Sequence, residues 1–342
     1  MMNDSLSKTT TTKRGLKYRY YYSHSQDISA SPKPVLLLVH GYGSTAQDWG
    51  RIAKFFVQNQ YSIIAPDLLG LGGTDKPLDV AQYVLSKICQ DIMDILDVEQ
   101  IKKVVAIGHD WGSKVVSRLA NFHSARFEAF AFLAVSYVVP TPNFEYYKHL
   151  EDTKAALGYV LHGYWEFLAE EGAAEILEEH WDSSYSLGYP HDPKLWSTHL
   201  APVGGYKEWL LNDNQAPLPS YLTEEDKERH RKITFENGGM KPGLNWYKTL
   251  IGSPCLSAED DKLISPDSYN ISKPTFFGGA EKDFVCLPAH GQYVMNQYCK
   301  NYVSKTFDAD HWLLLSHPEE VATALIAWLK TLETNPVLVQ EE

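Results

Sequence analysis

The chain has 342 residues, of which 44% are hydrophobic and 22% are charged, and its formal net charge is −12. This composition is ordinary for a globular protein, and the acidic balance argues against general affinity for nucleic acid or for anionic membranes. No apolar run approaches the ~20 residues that cross a bilayer, so we expect no membrane span. The length exceeds that of the usual single core, which predicts one large domain with a substantial insertion, or two domains.

The N-terminus and the cysteines bear on the compartment of the protein. Residues 1–15 have no apolar segment of the kind found in a secretory signal, and we expect them to form a mobile tail. A transit peptide is the alternative, because this segment is rich in Ser and Thr and poor in acidic residues. Reduced thiols of a cytoplasmic protein are expected, since no Cys-x-x-Cys pair or zinc spacing occurs among Cys89, Cys255, Cys286 and Cys299.

The first half of the chain alternates predicted strands and helices. The length and composition of four apolar runs are typical of buried strands: PVLLLVHG, YSIIAPD, VVAIGHD and AFAFLAVS. Two segments between them have apolar residues at three- and four-residue spacing and are predicted helices: DWGRIAKFFVQNQ and VLSKICQDIMDILDVEQ. Alternating strands and helices predict a mostly parallel sheet with helices on both faces.

The pattern changes after Tyr137, where a proline-containing segment leaves the predicted sheet. Helical patterns broken by Pro and Gly follow, without a long β-branched run. The strand pattern then returns in KPTFFGGAEKD and KNYVSKTFDADH, and the chain continues into a predicted helix, PEEVATALIAWLKTL. We therefore predict an α/β core formed by residues 1–138 and 265–342. It is interrupted by a mostly helical insertion, residues 139–264, which we call the cap.

Asp110 stands where a predicted strand ends and a predicted helix begins, between Gly108 and Gly112. The pattern Gly-x-Asp-x-Gly has the form of a nucleophile elbow with Asp in the usual serine position. Such a turn is tight and strained, so it requires neighbours without bulk. An aspartate there is already ionised at neutral pH, because its reference pKa is about 3.9. The alternative role for Asp110 is to cap the helix that begins at Trp111.

Asp283 and His311 also follow predicted strands. Together with Asp110 they appear in the order nucleophile, acid, histidine, which is the chain order of an α/β-hydrolase triad. The carboxyl ends of parallel strands share one edge of the sheet, where such folds bind ligands. With 13 histidines in the chain, His311 alone could be an ordinary loop residue. The three placements together favour a catalytic triad.

The segment VHGYG, which contains His40 to Gly43, follows an early predicted strand. Glycines let the backbone approach a reacting group, so the amides of Tyr42 and Trp111 are candidates for an oxyanion hole. A tight turn without a catalytic role is the alternative.

These residues resemble the α/β-hydrolase superfamily, and the aspartate elbow resembles that of epoxide hydrolases and of haloalkane or haloacid dehalogenases. The sequence of the cap distinguishes an epoxide hydrolase from a dehalogenase. Its segment PGLNWYKTL resembles the epoxide-hydrolase segment whose tyrosine, here Tyr247, binds the epoxide oxygen. The segment GYWEFLAEEGAAE resembles the second such segment, with Tyr164 eight positions before Gly172, although Tyr159 is nearby. The chain departs from the family at Gly43, where the family usually has proline.

The resemblance implies an epoxide hydrolase that forms a vicinal diol through an alkyl ester on Asp110. Water activated by His311 would hydrolyse that ester, Asp283 would orient the imidazole, and Tyr164 and Tyr247 would donate to the epoxide oxygen. The implied reactants are a small-molecule epoxide and water, with no metal and no organic cofactor. The expected substrate pocket contains His40, Trp165, Phe167, Trp246 and Leu250.

Two other functions remain open on the sequence. A dehalogenase would use Asp110 and His311 in the same way and would stabilise halide with Trp or other N–H donors. A non-catalytic protein of the same fold would bind a small apolar ligand as a receptor or carrier. The sequence does not identify the epoxide, the enantiopreference or regiochemistry, or whether the chain forms a homodimer.

Overall fold

A computed structural model describes residues 2–25, 33–252 and 254–334. Within these ranges, eight strands form one sheet in the order β1-β2-β4-β3-β5-β6-β7-β8. The pairs β1–β2 and β2–β4 are antiparallel, and the other neighbouring pairs are parallel. The strands are β1 Ser7–Thr11, β2 Lys17–Ser23, β3 Val35–Val39, β4 Ile63–Pro66, β5 Val104–His109, β6 Phe127–Leu133, β7 Thr275–Ala280 and β8 Tyr302–Phe307.

Helices connect these strands and fill the cap. The α-helices are α1 Gly50–Gln58, α2 Leu85–Val98, α3 Trp111–His123, α4 Tyr146–Leu157, α5 Tyr164–Ala169, α6 Ala173–Glu179, α7 Trp181–Gly188, α8 Gly205–Leu211, α9 Glu224–Glu236, α10 Asn245–Ile251, α11 Leu256–Asp261, α12 Pro288–Tyr298, α13 Leu313–Ser316 and α14 Pro318–Thr334. Short 3₁₀ turns occur at Asp4–Leu6, Ala46–Trp49, Val80–Tyr83, Ser124–Arg126 and Pro266–Tyr269, and a π-helical turn at Trp196–Leu200. None of the described helices is both long enough and apolar enough to cross a membrane.

The predicted α/β-hydrolase fold is confirmed by this sheet and its helices. Successive residues of a strand point to opposite faces, and both faces of β3 are buried. Leu37 packs in the cluster that contains residues of α2 and α3, whereas Leu36 packs in the cluster that contains residues of α1 and α14. The sheet is therefore covered on both sides, as its continuous apolar runs require.

The prediction of a mobile tail is wrong for residues 7–11, which form β1. This strand pairs antiparallel with β2, with Thr9 opposite Arg19. Threonine favours extended backbone, and an antiparallel strand at the edge of a parallel sheet can leave one face in water. The short polar run therefore needs no apolar pattern of its own.

Residues between β6 and β7 are helical in their described part, with eight α-helices and the π-helical turn. After α4, the predicted helical patterns correspond to the short helices α5, α6 and α7. Gly163 and Gly172 precede two of these helices, and a Cβ atom on Gly163 would collide with the backbone of residues 201–203. The cap therefore packs so closely on itself here that residue 163 has no room for a side chain.

Candidate active site

Asp110 lies at a sharp turn between β5 and α3. Its φ of 54° and ψ of −125° fall outside the usual regions for a residue with a side chain, and such strain is typical of a nucleophile elbow. A Cβ atom on Gly108 would collide with the backbone of Gly112, and one on Gly112 with the carbonyl of Val39. The Asp110 side chain makes no capping hydrogen bond to α3, so the helix-cap alternative is wrong.

The two oxygens of the Asp110 carboxylate have different partners. Oδ1 accepts a hydrogen bond of 2.9 Å from the backbone amide of Tyr42, and Oδ2 lies 3.4 Å from His311 Nε2. Burial by itself would raise the pKa of Asp110, but the hydrogen bond and charge of His311, with the Trp111 amide, lower it below its ordinary value. The carboxylate is therefore ionised, with one oxygen held by the Tyr42 amide and the other beside the histidine.

Asp283 orients the imidazole of His311 from the opposite side. Its Oδ2 lies 2.6 Å from His311 Nδ1, while its Oδ1 accepts hydrogen bonds from the amides of Val285 and Cys286 at 3.0 and 2.8 Å. Burial favours neutral imidazole, yet Asp283 and Asp110 together raise the pKa of His311 well above its ordinary value. The imidazole therefore lies between two carboxylates and is protonated in the resting protein.

Two cap tyrosines face each other close to this triad. Tyr164 begins α5 and Tyr247 lies in α10, and their ring centroids are 6.0 Å apart. The Tyr247 ring makes edge contacts with Tyr42 at 4.9 Å and Trp111 at 5.5 Å, so it packs on the two residues whose amides border Asp110. Burial raises the pKa of both phenols well above the ordinary value, so both hydroxyls are protonated at neutral pH.

Asp110 opens into a cavity of about 140 Å³. His311 and both cap tyrosines also line it, and apolar walls come from Leu168, Trp196, Leu200, Met240 and Val285. The side chains at the edge of the sheet and those of the cap therefore meet around one cavity.

The five residues expected to form the substrate pocket do not line this cavity: His40, Trp165, Phe167, Trp246 and Leu250. His40 is fully buried and its Nε2 accepts a hydrogen bond from the Leu68 amide. It therefore connects the segment after β3 to the segment after β4. Trp246 donates its indole N–H to the Leu69 carbonyl at 2.9 Å. Trp165 stacks on His162 with ring centroids 4.4 Å apart.

Phe167 and Leu250 are likewise packed away from the cavity. Phe167 makes an edge contact with the Tyr206 ring at 5.5 Å and is almost wholly buried. Leu250 is also buried, in the core cluster that contains Trp246 and Tyr247. All five expected pocket residues therefore stabilise the walls without facing the ligand space, which corrects the sequence prediction.

One group of described residues, Asp283, Cys286 and His311, has side-chain atoms close enough together to hold a metal ion, all within 4.8 Å. The carboxylate and imidazole of this group are hydrogen-bonded to each other at 2.6 Å. Their arrangement is the one expected for the acid and base of a triad.

A family model described as alpha/beta hydrolase fold matches residues 34–318. This chain belongs to the α/β-hydrolase fold family. The match covers the elbow, the acid and the histidine. It also includes the inserted helices between β6 and β7.

Relatives of this α/β-hydrolase carry the names of epoxide hydrolases. It is 26% identical to bifunctional epoxide hydrolase 2 of Sus scrofa over 89% of this chain, but it spans only 53% of that protein. It is 27% identical to epoxide hydrolase A of Mycobacterium tuberculosis, with 88% of this chain and 91% of that one covered. Epoxide hydrolase 3 of Siraitia grosvenorii is also 27% identical, with 93% and 96% covered.

Solved structures agree with the fold of this α/β-hydrolase. An epoxide hydrolase from an endophytic Streptomyces superposes with a TM-score of 0.79 at 22% identity, and 96% of each chain is covered. Epoxide hydrolase A from Mycobacterium thermoresistibile gives a TM-score of 0.74 at 22% identity, with 95% of this chain and 98% of that one covered. At this level of identity the likeness supports the fold.

Gly43, the departure noted in the sequence, has a φ of +73° in this α/β-hydrolase. Proline is locked near −65°, so it does not fit this backbone. The Gly43 carbonyl instead accepts a hydrogen bond of 2.6 Å from the hydroxyl of Tyr189, a cap residue that also lines the cavity. The cap therefore holds the loop that presents the Tyr42 amide.

Sequence reasoning missed His109, which directly precedes the candidate nucleophile of this α/β-hydrolase. Burial, with the nearby charge of His311, lowers the pKa of His109 to about 4, so the ring is neutral. Its Nε2 lies 2.8 Å from the backbone carbonyl of His311, to which it donates. His109 therefore fixes the backbone of the base. The signal in the sequence was its position beside Asp110 at the end of a buried strand.

Proposed function

We propose that this α/β-hydrolase is an epoxide hydrolase that converts an epoxide to a vicinal diol through an ester on Asp110. The observation that carries the proposal is the position of two buried phenols, Tyr164 and Tyr247, in the cavity that Asp110 and His311 also line. A carboxylate that opens an epoxide needs such donors, because the leaving group is an alkoxide. The names of the relatives support the same activity.

In the first step, Asp110 forms an ester bond to one ring carbon while the bond from that carbon to the ring oxygen breaks. Oδ2 is the attacking atom in this proposal, because Oδ1 is held by the Tyr42 amide at 2.9 Å. Tyr164 and Tyr247 keep their protons, since burial and the charge of Asp110 raise their pKa values. They stabilise the developing alkoxide, and acid assistance of this kind contributes ~10²–10⁴ in rate.

In the second step, water attacks the carbonyl carbon of the ester and His311 takes its proton. The tetrahedral oxyanion develops on Oδ1, where the Tyr42 amide already donates. The Trp111 amide also favours negative charge on this carboxyl group, since it lowers the pKa of Asp110. Such preorganised amides stabilise the transition state strongly. The bond between Cγ of Asp110 and Oδ2 then breaks, and the diol leaves with Oδ2. The oxygen of the attacking water therefore remains on Asp110.

The charges of the resting site suit this sequence of steps. His311 begins as an imidazolium between Asp110 and Asp283, which raise its pKa. Esterification neutralises Asp110, so the pKa of His311 falls and the imidazole becomes the neutral base that the second step requires. The proton that His311 releases balances the one that the ring oxygen gains, and attack by water returns a proton to His311. No net proton is consumed in the cycle.

A dehalogenase is less well supported by the N–H donors of the cavity. Trp196 donates its indole N–H to the Leu187 carbonyl at 2.7 Å, and Trp312 donates to the Gly188 carbonyl at 2.9 Å. A side-chain hydrogen bond from Trp111 acts on the Tyr247 phenol. These three indoles are already committed to protein acceptors, so among the described tryptophans that line the cavity only Trp181 has an indole N–H without a protein partner. A single such donor supports a halide site less well than the two phenols support an epoxide.

The proposal also includes the division into core and cap, the location of the protein and its assembly. Residues 1–138 and 265–342 would form the catalytic core and residues 139–264 the cap that covers it. A cytoplasmic location is supported by the four free cysteines, and imaging of a tagged protein tests it. A homodimer is the assembly to test, by light scattering on the full chain.

The first test is product analysis with styrene oxide and with a chloroalkane. We expect styrene glycol from the epoxide and no alcohol from the chloroalkane. In H₂¹⁸O over many turnovers, the label should appear in the side chain of Asp110, located by mass spectrometry of its peptide. Turnover of the chloroalkane without diol from any epoxide would reverse the assignment, and turnover without label would exclude the ester.

A double variant, Tyr164→Phe with Tyr247→Phe, tests the observation that carries the proposal. We expect alkylation of Asp110 to be abolished, because no phenol remains to donate a hydrogen bond to the ring oxygen as its negative charge develops. Tyr137→Phe is the matched control: this tyrosine is buried, as Tyr247 is, but its hydroxyl donates to the Tyr269 carbonyl and it does not line the cavity. Alkylation at the normal rate in the double variant would remove both tyrosines from the mechanism.

A further inference from the structure

One face of α7 forms a wall of the cavity. Trp181, Ser184, Tyr185 and Gly188 all line it, and their spacing of three, four and seven residues places them on one side of a helix. We call these four residues the α7 face. A cap helix that only excluded water would need apolar side chains here, yet three of the four carry a hydrogen-bonding group.

The hydroxyls of the α7 face are already positioned by buried partners. Ser184 Oγ lies 2.8 Å from the hydroxyl of Tyr206, which also lines the cavity. The hydroxyl of Tyr185 lies 2.9 Å from Nδ1 of His230, and Nε2 of His230 lies 3.0 Å from the Asp48 carboxylate. All five side chains are buried. Each hydroxyl uses one hydrogen bond within the protein and has capacity for another.

Two further donors at the cavity have no protein partner among the described residues. They are the indole N–H of Trp181 and the hydroxyl of Tyr42, and both atoms are buried. The phenol of Tyr206 also raises the pKa of Tyr42, after burial, so these hydroxyls are neighbours. A buried donor without a partner is costly, and a bound oxygen atom would satisfy it.

The charge around this wall identifies the kind of oxygen it would bind. Among the described residues that line the cavity, none is Lys or Arg. His230 is paired with the buried carboxylate of Asp48. Burial alone would raise the pKa of Asp48, but His230 outweighs this effect and lowers that pKa below its usual range. The charge of Arg229 reaches Tyr185, but its guanidinium is already paired with Asp48 and Asp226. A carboxylate of a substrate would therefore be desolvated here without a free cation to compensate it. A neutral oxygen would gain hydrogen bonds at no such cost.

We propose that the α7 face, with Tyr206, is a second binding subsite that recognises a neutral hydroxyl, ether or carbonyl oxygen carried by the epoxide. This inference rests on the proposed function and names its substrate class. The subsite is separated from the triad by successive ring contacts of 5.3 Å from His311 to Trp312, 4.3 Å to Tyr189 and 4.7 Å to Tyr185. The recognised oxygen therefore lies several bonds away from the epoxide ring.

The test compares three matched substrates: decene oxide, its ω-hydroxy counterpart and its ω-carboxy counterpart. We expect the ω-hydroxy epoxide to be preferred over decene oxide by at least about fivefold in kcat/KM, the effect of one neutral hydrogen bond. The ω-carboxy epoxide should be the poorest of the three. Ser184→Ala and Tyr206→Phe should each reduce the preference for hydroxyl towards one.

Ser183→Ala is the matched control for Ser184→Ala. Ser183 is the preceding residue of α7 and is equally buried, but its hydroxyl donates to the Trp209 carbonyl and it does not line the cavity. This variant should retain the full preference for the hydroxylated epoxide. An equal preference for all three substrates, a preference for the carboxylate, or a loss of preference in Ser183→Ala would overturn the subsite.

Calorimetric titration separates failure of the subsite from failure of the proposed function. The corresponding diol and its ω-hydroxylated form bind without turnover, and the hydroxylated form should have a Kd at least about fivefold lower in the wild type. Ser184→Ala should remove that difference. If no epoxide is hydrolysed but the difference in Kd is present, the proposed function fails and the subsite stands. If epoxides are hydrolysed but the two Kd values are equal, the subsite fails alone.

Discussion

Removal of the Asp110 carboxylate is expected to lower the pKa of His311. In the resting protein, His311 Nε2 lies 3.4 Å from Asp110 Oδ2, and its Nδ1 lies 2.6 Å from Asp283 Oδ2. The two carboxylates outweigh burial and raise the pKa of the imidazole. The variant Asp110→Ala removes one carboxylate and leaves the other, so the imidazolium loses part of its stabilisation.

The separation of the charges sets the size of this effect. Coulomb's law gives about 5 kcal/mol for unit charges at this distance with an effective dielectric constant of about 20. One pKa unit corresponds to about 1.4 kcal/mol, so the upper limit is a fall of roughly three to four units. The Asp110 side chain is 19% exposed, and water in the truncated site screens the interaction. We therefore expect a fall of at least about one unit.

Proton NMR titration of the imidazole Cε1–H measures this pKa directly, with His311→Gln to assign the resonance. Asp308→Ala is the control, because Asp308 is close in sequence but 72% exposed and paired with Lys282. It should change the pKa of His311 by no more than a few tenths of a unit. An unchanged pKa in Asp110→Ala, or an equal fall in both variants, would refute the role of Asp110 in the charge balance.

Three further outcomes are expected. His311→Gln should accumulate an ester on Asp110, seen as a mass increase of one epoxide; turnover without this adduct would contradict the role of the base. The rate of alkylation should fall as pH rises through the pKa of His311, since the imidazolium supplies the balancing proton; a flat profile in rapid-quench assays would argue otherwise. Gly43→Pro should lower the free energy of unfolding by about 1–3 kcal/mol because φ is +73° there, as measured in urea with Gly188→Ala as control.

The proximity of Asp110, Asp283 and His311 could be predicted from the sequence because the order of the parallel strands brings the three residues together. Asp110, Asp283 and His311 each follow a strand, and the parallel strands β5, β7 and β8 end at the same edge of the sheet. For the buried strands β5 and β7, a short apolar run followed by a polar residue is visible in the chain itself, whereas β8 is mostly exposed. The contacts of His311 with Asp283 and Asp110, at 2.6 and 3.4 Å, follow from that order.

The walls of the cavity could not be predicted in the same way. Periodicity shows which residues share a helix face but not which face meets the nucleophile. In α10, Trp246 and Tyr247 are adjacent, yet Trp246 turns away to donate to the Leu69 carbonyl while Tyr247 lines the cavity. The α7 face has a regular spacing that the sequence displays, but its orientation depends on packing between helices far apart in the chain.

The cap is hydrogen-bonded to two loops of the candidate site, the one that contains Gly43 and the one that contains Trp312. Tyr189 donates to the Gly43 carbonyl at 2.6 Å, beside the residue whose amide holds Asp110, and Trp312 donates to the Gly188 carbonyl at 2.9 Å, beside the base. The rings of Tyr189 and Trp312 also stack at 4.3 Å. One short cap segment therefore fixes the residue after the oxyanion donor and the residue after the histidine. A displacement of this segment would move the Tyr42 loop and His311 together, so the proposed substrate contacts on the neighbouring α7 face are well placed to affect both steps of the proposed reaction.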